Sequence, residues 1–368
     1  MTERWHPDET LPVIARFEVR RRAYLAPDGS INRQLPAFAS DTSLLVRLYR
    51  AMVLVRAFDL KAVALQRTGR LGTYAASLGQ EAVSVGTASA MHDDDVLLPS
   101  YRDNAALIWR GVELEEILLF WGGDERGNCF SGPVQDFPFC IPVGSQAPQA
   151  AGVAYAFKLR KEPRVAVSVC GDGGSSKTDF YAAINAAGAF TLPLVSVIVN
   201  NQYAISVPRR MQTGAKTLAQ KGIAAGLECV QADGNDLIAM RAVLDHAIKR
   251  ARHGHGGTVI EAVTYRLSDH TTADDARRYR DDAEVKAAWE REPLLRLRNY
   301  LVAQGAWDAA KEEAWKAECT VLVDAEIDAY LATKVQPVES MFDYLYAELP
   351  HDVREQREAA MAWEQRKP

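Results

Sequence analysis

Gly171-Asp172-Gly173-Gly174-Ser175-Ser176 and Asn200-Asn201 are the residues whose types and spacing promise chemistry. An aspartate carboxylate and an asparagine amide oxygen are hard donors of the kind Mg2+ or Ca2+ accepts. Mg2+ held by only a few protein oxygens completes its octahedron with phosphates and water. Gly171, Gly173 and Gly174 let the backbone come close to a phosphate, and a helix that follows them offers its first N–H groups. The ligand implied is a metal-bound diphosphate. Asp-Gly alone is a common turn and Asn-Asn a common loop start. Specificity comes from the combination: Gly-Asp-Gly, a spacer of 26 residues, then Asn-Asn, with a strand ending at each.

Two apolar runs must place these residues. Val165 to Cys170 and Leu194 to Val199 read as buried strands, and Thr178 to Phe190 between them as a helix. Strand, helix and strand at this pitch form a βαβ unit, hence a parallel sheet, and the right-handed crossover puts both strands in it. A third strand, Thr258 to Thr264, leads into Tyr265-Arg266. Three strands therefore end in polar residues at the carboxyl edge, where open α/β sheets bind ligands. Upstream, Leu44, Leu48, Met52, Val55, Phe58 and Val63 predict an amphipathic helix from Asp41 to Gly69, and a second is expected over Gln80–Met91. Val96-Leu97-Leu98 then runs into Tyr101-Arg102. The fold class expected is α/β, a mostly parallel sheet flanked by helices. Residues 1–40, punctuated by Pro7, Pro12, Pro27 and Pro36, read as an N-terminal arm; 41–333 as the α/β domain; 334–368 as a C-terminal helical extension. Trp315, Cys319, Val323, Ile327 and Tyr330 form an apolar stripe just before that extension.

The 368 residues, 48% hydrophobic and 25% charged, have ordinary globular usage and can bury a sizeable core. With 43 basic against 48 acidic residues, the net charge of −5 lacks the broad positive field of a nucleic-acid binder. Apolar runs such as Leu192 to Val199 are too short to cross a bilayer, so neither nucleic acid nor membrane is an expected partner. Cys129, Cys140, Cys170, Cys229 and Cys319 include no C-x-x-C pair and match neither a zinc site nor a disulfide framework. A reducing compartment, the cytoplasm, is expected, and the opening nonapeptide Met1 to Glu9 lacks the pattern of a secretory signal. Arg16, Arg20, Arg21 and Arg22 could belong to a transit peptide or to a surface strand, and the flanking acids favour the strand. His253-Gly254-His255 follows a basic helix end without further ligands, and a flexible loop is expected there rather than a metal pair.

Gly171-Asp172-Gly173, the spacer and Asn200-Asn201 match the thiamine-diphosphate motif. The text around them, closing in Asn-Asn-Gln-Tyr-Ala-Ile-Ser at Ser206, resembles the alpha subunit of two-subunit 2-oxo acid dehydrogenases, the decarboxylating first components of the pyruvate and branched-chain complexes. The likeness runs from about Asn32 to the C-terminus. It passes through Gly69-Arg70-Leu71-Gly72, Gly79-Gln80-Glu81-Ala82, Tyr101-Arg102-Asp103, Gln146-Ala147-Pro148-Gln149-Ala150 and Tyr265-Arg266 through Tyr279-Arg280. The resemblance implies thiamine diphosphate and Mg2+, the metal held by Asp172, the Asn201 side chain and the Tyr203 carbonyl. It assigns Gly171, Gly173 and Gly174 to the diphosphate turn, and Tyr101 and Arg102 to its other side, where a guanidinium fork suits phosphate oxygens. Ile141 and Val143 resemble the segment whose backbone meets the aminopyrimidine ring. His270, within Ser268 to Asp275 and near Arg266, is implied to touch the diphosphate and assist acyl transfer. Lys177-Thr178, Ala182 and Asp269 depart from the commoner pattern but leave the metal ligands and the histidine in place.

The activity the resemblance implies is oxidative decarboxylation of a 2-oxo acid with reductive acylation of a lipoyl group. In the family, the glutamate that activates the cofactor lies on a separate beta subunit. An α2β2 heterotetramer is therefore expected, with the cofactor at the α/β interface and the lipoyl domain of the acyltransferase as a further partner. Asp179-Phe180-Tyr181 and the stretch Thr217 to Leu227 resemble pyruvate-type alpha subunits, and the region after Trp307-Asp308 the branched-chain type. Pyruvate is the expected substrate, with a branched-chain 2-oxo acid or acetoin as alternatives. Intact Asp172, Asn201 and His270 weigh against a non-catalytic scaffold.

Overall fold

A computed structural model describes residues 11–366, so the expectations for the opening nonapeptide and Pro7 lie outside the described residues. The strands are β1 (Arg20–Arg22), β2 (Val96–Leu98), β3 (Ala166–Gly171), β4 (Leu194–Asn200), β5 (Tyr203–Ala204), β6 (Val207–Pro208), β7 (Glu228–Asp233) and β8 (Thr258–Val263). Helices α1 (Thr42–Arg67), α2 (Glu81–Ala90), α3 (Asn104–Trp109) and α4 (Leu114–Gly122) precede β3. Helix α5 (Gln146–Arg160) leads into β3, α6 (Thr178–Ala189) joins β3 to β4, and α7 (Leu237–Arg252) joins β7 to β8. After the sheet come α8 (Asp282–Trp289), α9 (Pro293–Ala303), α10 (Ala309–Ala332), α11 (Ser340–Asp343) and α12 (His351–Glu364).

Six strands form one wholly parallel sheet in the order β1-β7-β8-β4-β3-β2, while β5 and β6 make a separate antiparallel hairpin. All seven residues of β4 are buried, as a central strand covered on both faces requires. The register matters for function. Gly171 pairs with Val199 and Asn200 with Val263, so the chain leaves β3, β4 and β8 at nearly one level. The ladder continues beyond the strands: Asp172 N donates to Val199 O (3.1 Å), Thr264 N to Asn200 O (2.9 Å) and Arg266 N to Asn201 O (3.2 Å).

The expected strands and helices of this centre are all present, with ends displaced by a residue. Thr264 falls outside β8, and its hydroxyl donates to Gly79 O at 2.6 Å. Asp41 caps α1 by accepting from Leu44 N at 3.0 Å, and the buried face of that helix includes Leu48, Met52, Val55 and Phe58. At its end the face passes to Ala62 and Leu65, and Val63 is half-buried, because 3.6-residue periodicity carries it off the core side. One core cluster joins α1 to α2, α7, α9 and Trp307; another packs α5 and α6 on β2, β3 and β4.

One strand was not expected, and another confirms the surface strand read from its arginines. β7 has no apolar run, since it is half-buried between β8 and the edge strand. Arg20–Arg22 is that edge strand, three exposed arginines in the manner of charged edges that resist further pairing. Asp236 fixes the following turn by accepting from Tyr24 N (2.6 Å) and Leu25 N (2.8 Å), so this part of the arm is docked. His253 stands at the C-cap of α7, its Nδ1 2.7 Å from Lys249 O. Among the described residues no group of three His, Cys, Asp or Glu side chains could hold a metal, and no helix is long and apolar enough to cross a membrane.

The chain separates into two compact units, one through Ile327 and one from Asp328 onward. In the first, Cys319, Val323 and Ile327 of the expected stripe are buried. In the second, α11 and α12 are linked by an Arg357–Asp343 ion pair at 3.6 Å.

Candidate active site

Asp172 follows β3 directly and is only 1% exposed. One carboxylate oxygen accepts from Gln212 Nε2 at 2.6 Å, and burial raises its pKa above the ordinary carboxylate range. Among the described residues it forms no ion pair. A carboxylate taken out of water without a cation is costly, and a metal would relieve that cost. Asn201, also buried, gives its amide N–H to Gln80 Oε1 (3.2 Å), which leaves the amide oxygen lone pairs for a cation. That oxygen accepts only a long bond, 3.3 Å, from Tyr203 N.

Tyr203 opens the β5–β6 hairpin between two non-glycine residues in the left-handed region, Gln202 (φ 77°) and Ile205 (φ 56°). Such conformations persist only where the surroundings impose them. The phenol is tied down elsewhere, donating to Glu284 at 2.9 Å, so the Tyr203 backbone is what the hairpin presents. Its carbonyl accepts from Arg266 Nη1 at 3.3 Å and keeps a second lone pair. One carboxylate, one amide oxygen and one carbonyl are a donor set of the hard-cation kind. Buried polar atoms without partners gather at the same place: Gln212 Oε1, Gln80 Nε2 and Arg266 Nε. The residues present therefore fit a metal-bound diphosphate.

The glycine turn closes one wall. A Cβ on Gly173 would stand 2.6 Å from the Ala204 Cβ, and one on Gly174 would press on Cys170 and Val143. At Gly171 it would meet nothing within 4 Å, so close approach belongs to the later two glycines. Gly173→Ala is expected to push away the hairpin that carries Tyr203 and raise the apparent Kd for the diphosphate cofactor roughly tenfold. Calorimetric titration checks this; unchanged affinity would mean that the hairpin is not part of the site.

The opposite wall is basic. Arg102 is buried rather than part of a surface pair; its Nη1 donates to Ala76 O (2.7 Å) and its Nη2 to His270 O (2.7 Å). His270 Nδ1 lies 3.2 Å from Arg102 Nη2 and 3.5 Å from Arg266 Nη1. Two guanidinium donors on Nδ1 make it the acceptor, so the ring is the neutral tautomer with its proton on Nε2. Burial first, and the two arginines next, push the His270 pKa down to about 4. Tyr101 meets the imidazole edge to face at 6.0 Å. Asp274 accepts from His270 N at 2.9 Å and from the Tyr279 hydroxyl, and Tyr279 in turn accepts from Arg266 Nη2 at 2.8 Å. Fully buried Arg266 thus joins the His270 loop to the Tyr203 hairpin, while Arg277 and Arg278 are exposed.

A bridge between Ser100 and Cys140 brings the Ile141–Val143 loop beside Tyr101 and Arg102. Val143 stands against Gly174, and both Ile141 and Val143 keep much of their surface exposed. The structure therefore assembles the sequence-derived residues around one sheet edge. Sequence reasoning gave no role to Gln80, Gln212 or Asp59. Gln80 sits in a quoted motif; Gln212 carries no local signal. Asp59 lies in the helix core, where it accepts from Tyr74 OH (2.6 Å) and Ser77 N (2.7 Å), and the Ser77 hydroxyl holds Arg102 O (3.1 Å).

A parallel sheet with this glycine turn, oxygen pocket and basic wall at its carboxyl edge has the thiamine-diphosphate-binding architecture. The model of the family described as Dehydrogenase E1 component matches residues 49–339. The chain belongs to that family and is an alpha subunit of the thiamine-diphosphate-dependent 2-oxo acid dehydrogenase type. It is 42% identical over 337 residues, 91% of this chain and 90% of the relative, to a Staphylococcus epidermidis protein named pyruvate dehydrogenase E1 component subunit alpha. Proteins of the same name from Acholeplasma laidlawii and Staphylococcus aureus are 41% and 42% identical, over 85% and 89% of this chain and 92% and 89% of their own.

Proposed function

We propose that this chain is the alpha subunit of a pyruvate dehydrogenase first component, catalysing oxidative decarboxylation of pyruvate with reductive acylation of lipoyl groups. The observation that carries the reading is the buried Asp172 carboxylate, which forms no ion pair among the described residues, at the start of the glycine turn, with the Asn201 amide oxygen and the Tyr203 backbone at the neighbouring strand end. Mg2+ would be held by those three residues, and the diphosphate by the Gly173 and Gly174 backbone together with Arg102. Tyr101 and Arg266 would close the basic side, with Ile141 and Val143 toward the ring end of the cofactor and Gly171 ending the strand that aims the turn.

Bound thiamine diphosphate supplies the electron sink for cleaving the bond between C1 and C2 of a 2-oxo acid. The chain's residues orient and hold. Arg102 and Arg266 fix the imidazole, and His270 presents an Nε2 proton at neutral pH to the group that receives the acyl unit. In this reading residues 41–333 form the cofactor-binding domain, 1–40 an arm and 334–368 a helical extension. The chain works in the cytoplasm as α2β2, the beta subunit supplies the activating glutamate, and the lipoyl domain is a transient partner. The chain alone is then essentially without turnover.

The test is a panel of pyruvate, 3-methyl-2-oxobutanoate and acetoin, run on the co-expressed alpha and beta pair with a lipoyl acceptor. Pyruvate is expected to give the highest kcat/KM. Turnover of the branched acid without turnover of pyruvate would reassign the substrate.

A further inference from the structure

Lys221 has no role in the site as described so far, yet it is 5% exposed and lies directly behind the glycine turn. Its Nζ donates to Ser175 O (2.7 Å) and Ser175 Oγ (2.9 Å), with Ser176 Oγ at 3.4 Å. Ser175 Oγ donates onward to the carbonyl of Asp172 at 2.6 Å. The ammonium is thus two hydrogen bonds from the backbone of the residue that presents the metal-binding carboxylate. All three of its partners are neutral oxygens, and among the described residues it forms no ion pair. Its Nζ also lies 5.3 Å from the centroid of the Tyr181 ring.

A buried ammonium normally has a carboxylate beside it. Burial here lowers the pKa to about 8; Arg209 acts in the same direction, and Cys170, Asp172 and Glu261 act against it. The segment is also firmly placed. Glu261 of β8 accepts from Leu218 N (2.9 Å) and Ala219 N (3.3 Å), at the start of the short 3-10 helix that carries Lys221. The same carboxylate accepts from Asn200 Nδ2 (2.7 Å), just before the second metal-binding loop. Glu261 and Lys221 therefore tie the Asp172 and Asn201 loops into one frame, with a positive charge behind the turn that, among the described residues, no carboxylate contacts directly.

We propose that Lys221 is a positioning residue for the diphosphate: it fixes the Gly173–Ser176 turn through Ser175 and supplies a buried positive charge that the diphosphate balances. The proposal rests on the thiamine-diphosphate reading of the site. It does not require Lys221 to touch the ligand, because at low effective dielectric a charge behind the turn acts through the loop.

The experiment measures apparent Kd for thiamine diphosphate and for thiamine monophosphate, each with saturating Mg2+, on the co-purified alpha and beta pair. Lys221→Met is expected to weaken diphosphate binding about 10- to 100-fold and to shrink the preference for diphosphate over monophosphate. Lys221→Arg should recover most of that preference, and the loss should fall more on cofactor affinity than on turnover at saturating cofactor. Should Lys221→Met not fold, Lys221→Gln carries the same expectation. A variant within threefold of wild type for diphosphate, or one that weakens both ligands equally, would overturn the proposal while leaving the cofactor reading intact. Failure of the wild-type pair to bind thiamine diphosphate at all would instead remove the reading beneath it.

Discussion

Asp172→Ala is expected to abolish Mg2+-dependent binding of thiamine diphosphate at working concentrations and, with it, all turnover. Residues that merely orient metal ligands typically contribute 10- to 100-fold in affinity. Asp172 is the only charged member of the oxygen set, so the loss should exceed about 100-fold. Asp172→Asn separates charge from shape, because it keeps the volume and an oxygen at the same place. Its metal affinity should fall nearly as far as that of the alanine variant. The stability signature runs the other way. Burial raises the Asp172 pKa, so without a cation the ionised form costs stability at neutral pH. That cost is relieved as pH falls through the raised pKa, and Asp172→Asn removes it altogether. The cofactor-free Asp172→Asn protein should accordingly melt above wild type at pH 7, with the difference shrinking toward acid pH. The melting shift that Mg2+ and thiamine diphosphate give wild type should be absent from the variant. A variant that melts lower than wild type without ligand, yet retains the ligand-induced shift, would remove Asp172 from the metal site.

The second large effect concerns His270. Proton transfer by a positioned side chain contributes about 10²- to 10⁴-fold. His270→Ala should lower acyl transfer to a lipoyl domain at least 100-fold, with a smaller fall when an artificial electron acceptor replaces the lipoyl group. Two guanidinium groups hold Nδ1, and the pKa is pushed down to about 4, so the ligand-free ring is neutral across pH 5–8. A bound diphosphate opposes the positive charge of Arg102 and Arg266, which must move the His270 pKa upward. Binding near pH 5 should therefore take up a proton in wild type. Calorimetry in buffers of differing ionisation enthalpy reads that uptake directly, and it should be lost in His270→Ala. Equal losses with both acceptors and no change in proton uptake would make His270 a packing residue.

These effects follow from parts of the molecule that differ in how far their sequence reveals them. β3, β4 and β8 are legible because a parallel strand covered on both faces is largely apolar along its length, even though β8 carries the buried Glu261. Asp172 and Asn201 are legible because each breaks such a run with a polar residue at its carboxyl end. β7 escapes notice for the opposite reason. It lies next to the edge, is half-buried, and mixes Glu228, Gln231 and Asp233 with Cys229 and Val230. The side chains that brace Asp172 and the glycine turn are hidden more deeply. Gln212 and Lys221 come from a stretch with little apolar period, and only tertiary placement by Glu261 and the β5–β6 hairpin brings them to the turn. Arg102 shows the limit of local reading. Tyr-Arg in isolation describes any surface, and its burial follows from Ser77, Asp59 and the His270 loop, none of which is near it in sequence.

The most direct measurement is calorimetric titration of thiamine diphosphate into the co-purified alpha and beta pair, with and without Mg2+. One molecule bound per alpha chain is predicted with Mg2+ present, falling to weak or undetectable binding when the metal is chelated. Metal-independent binding, or no heat under either condition, would contradict the site built on Asp172, Asn201 and Tyr203.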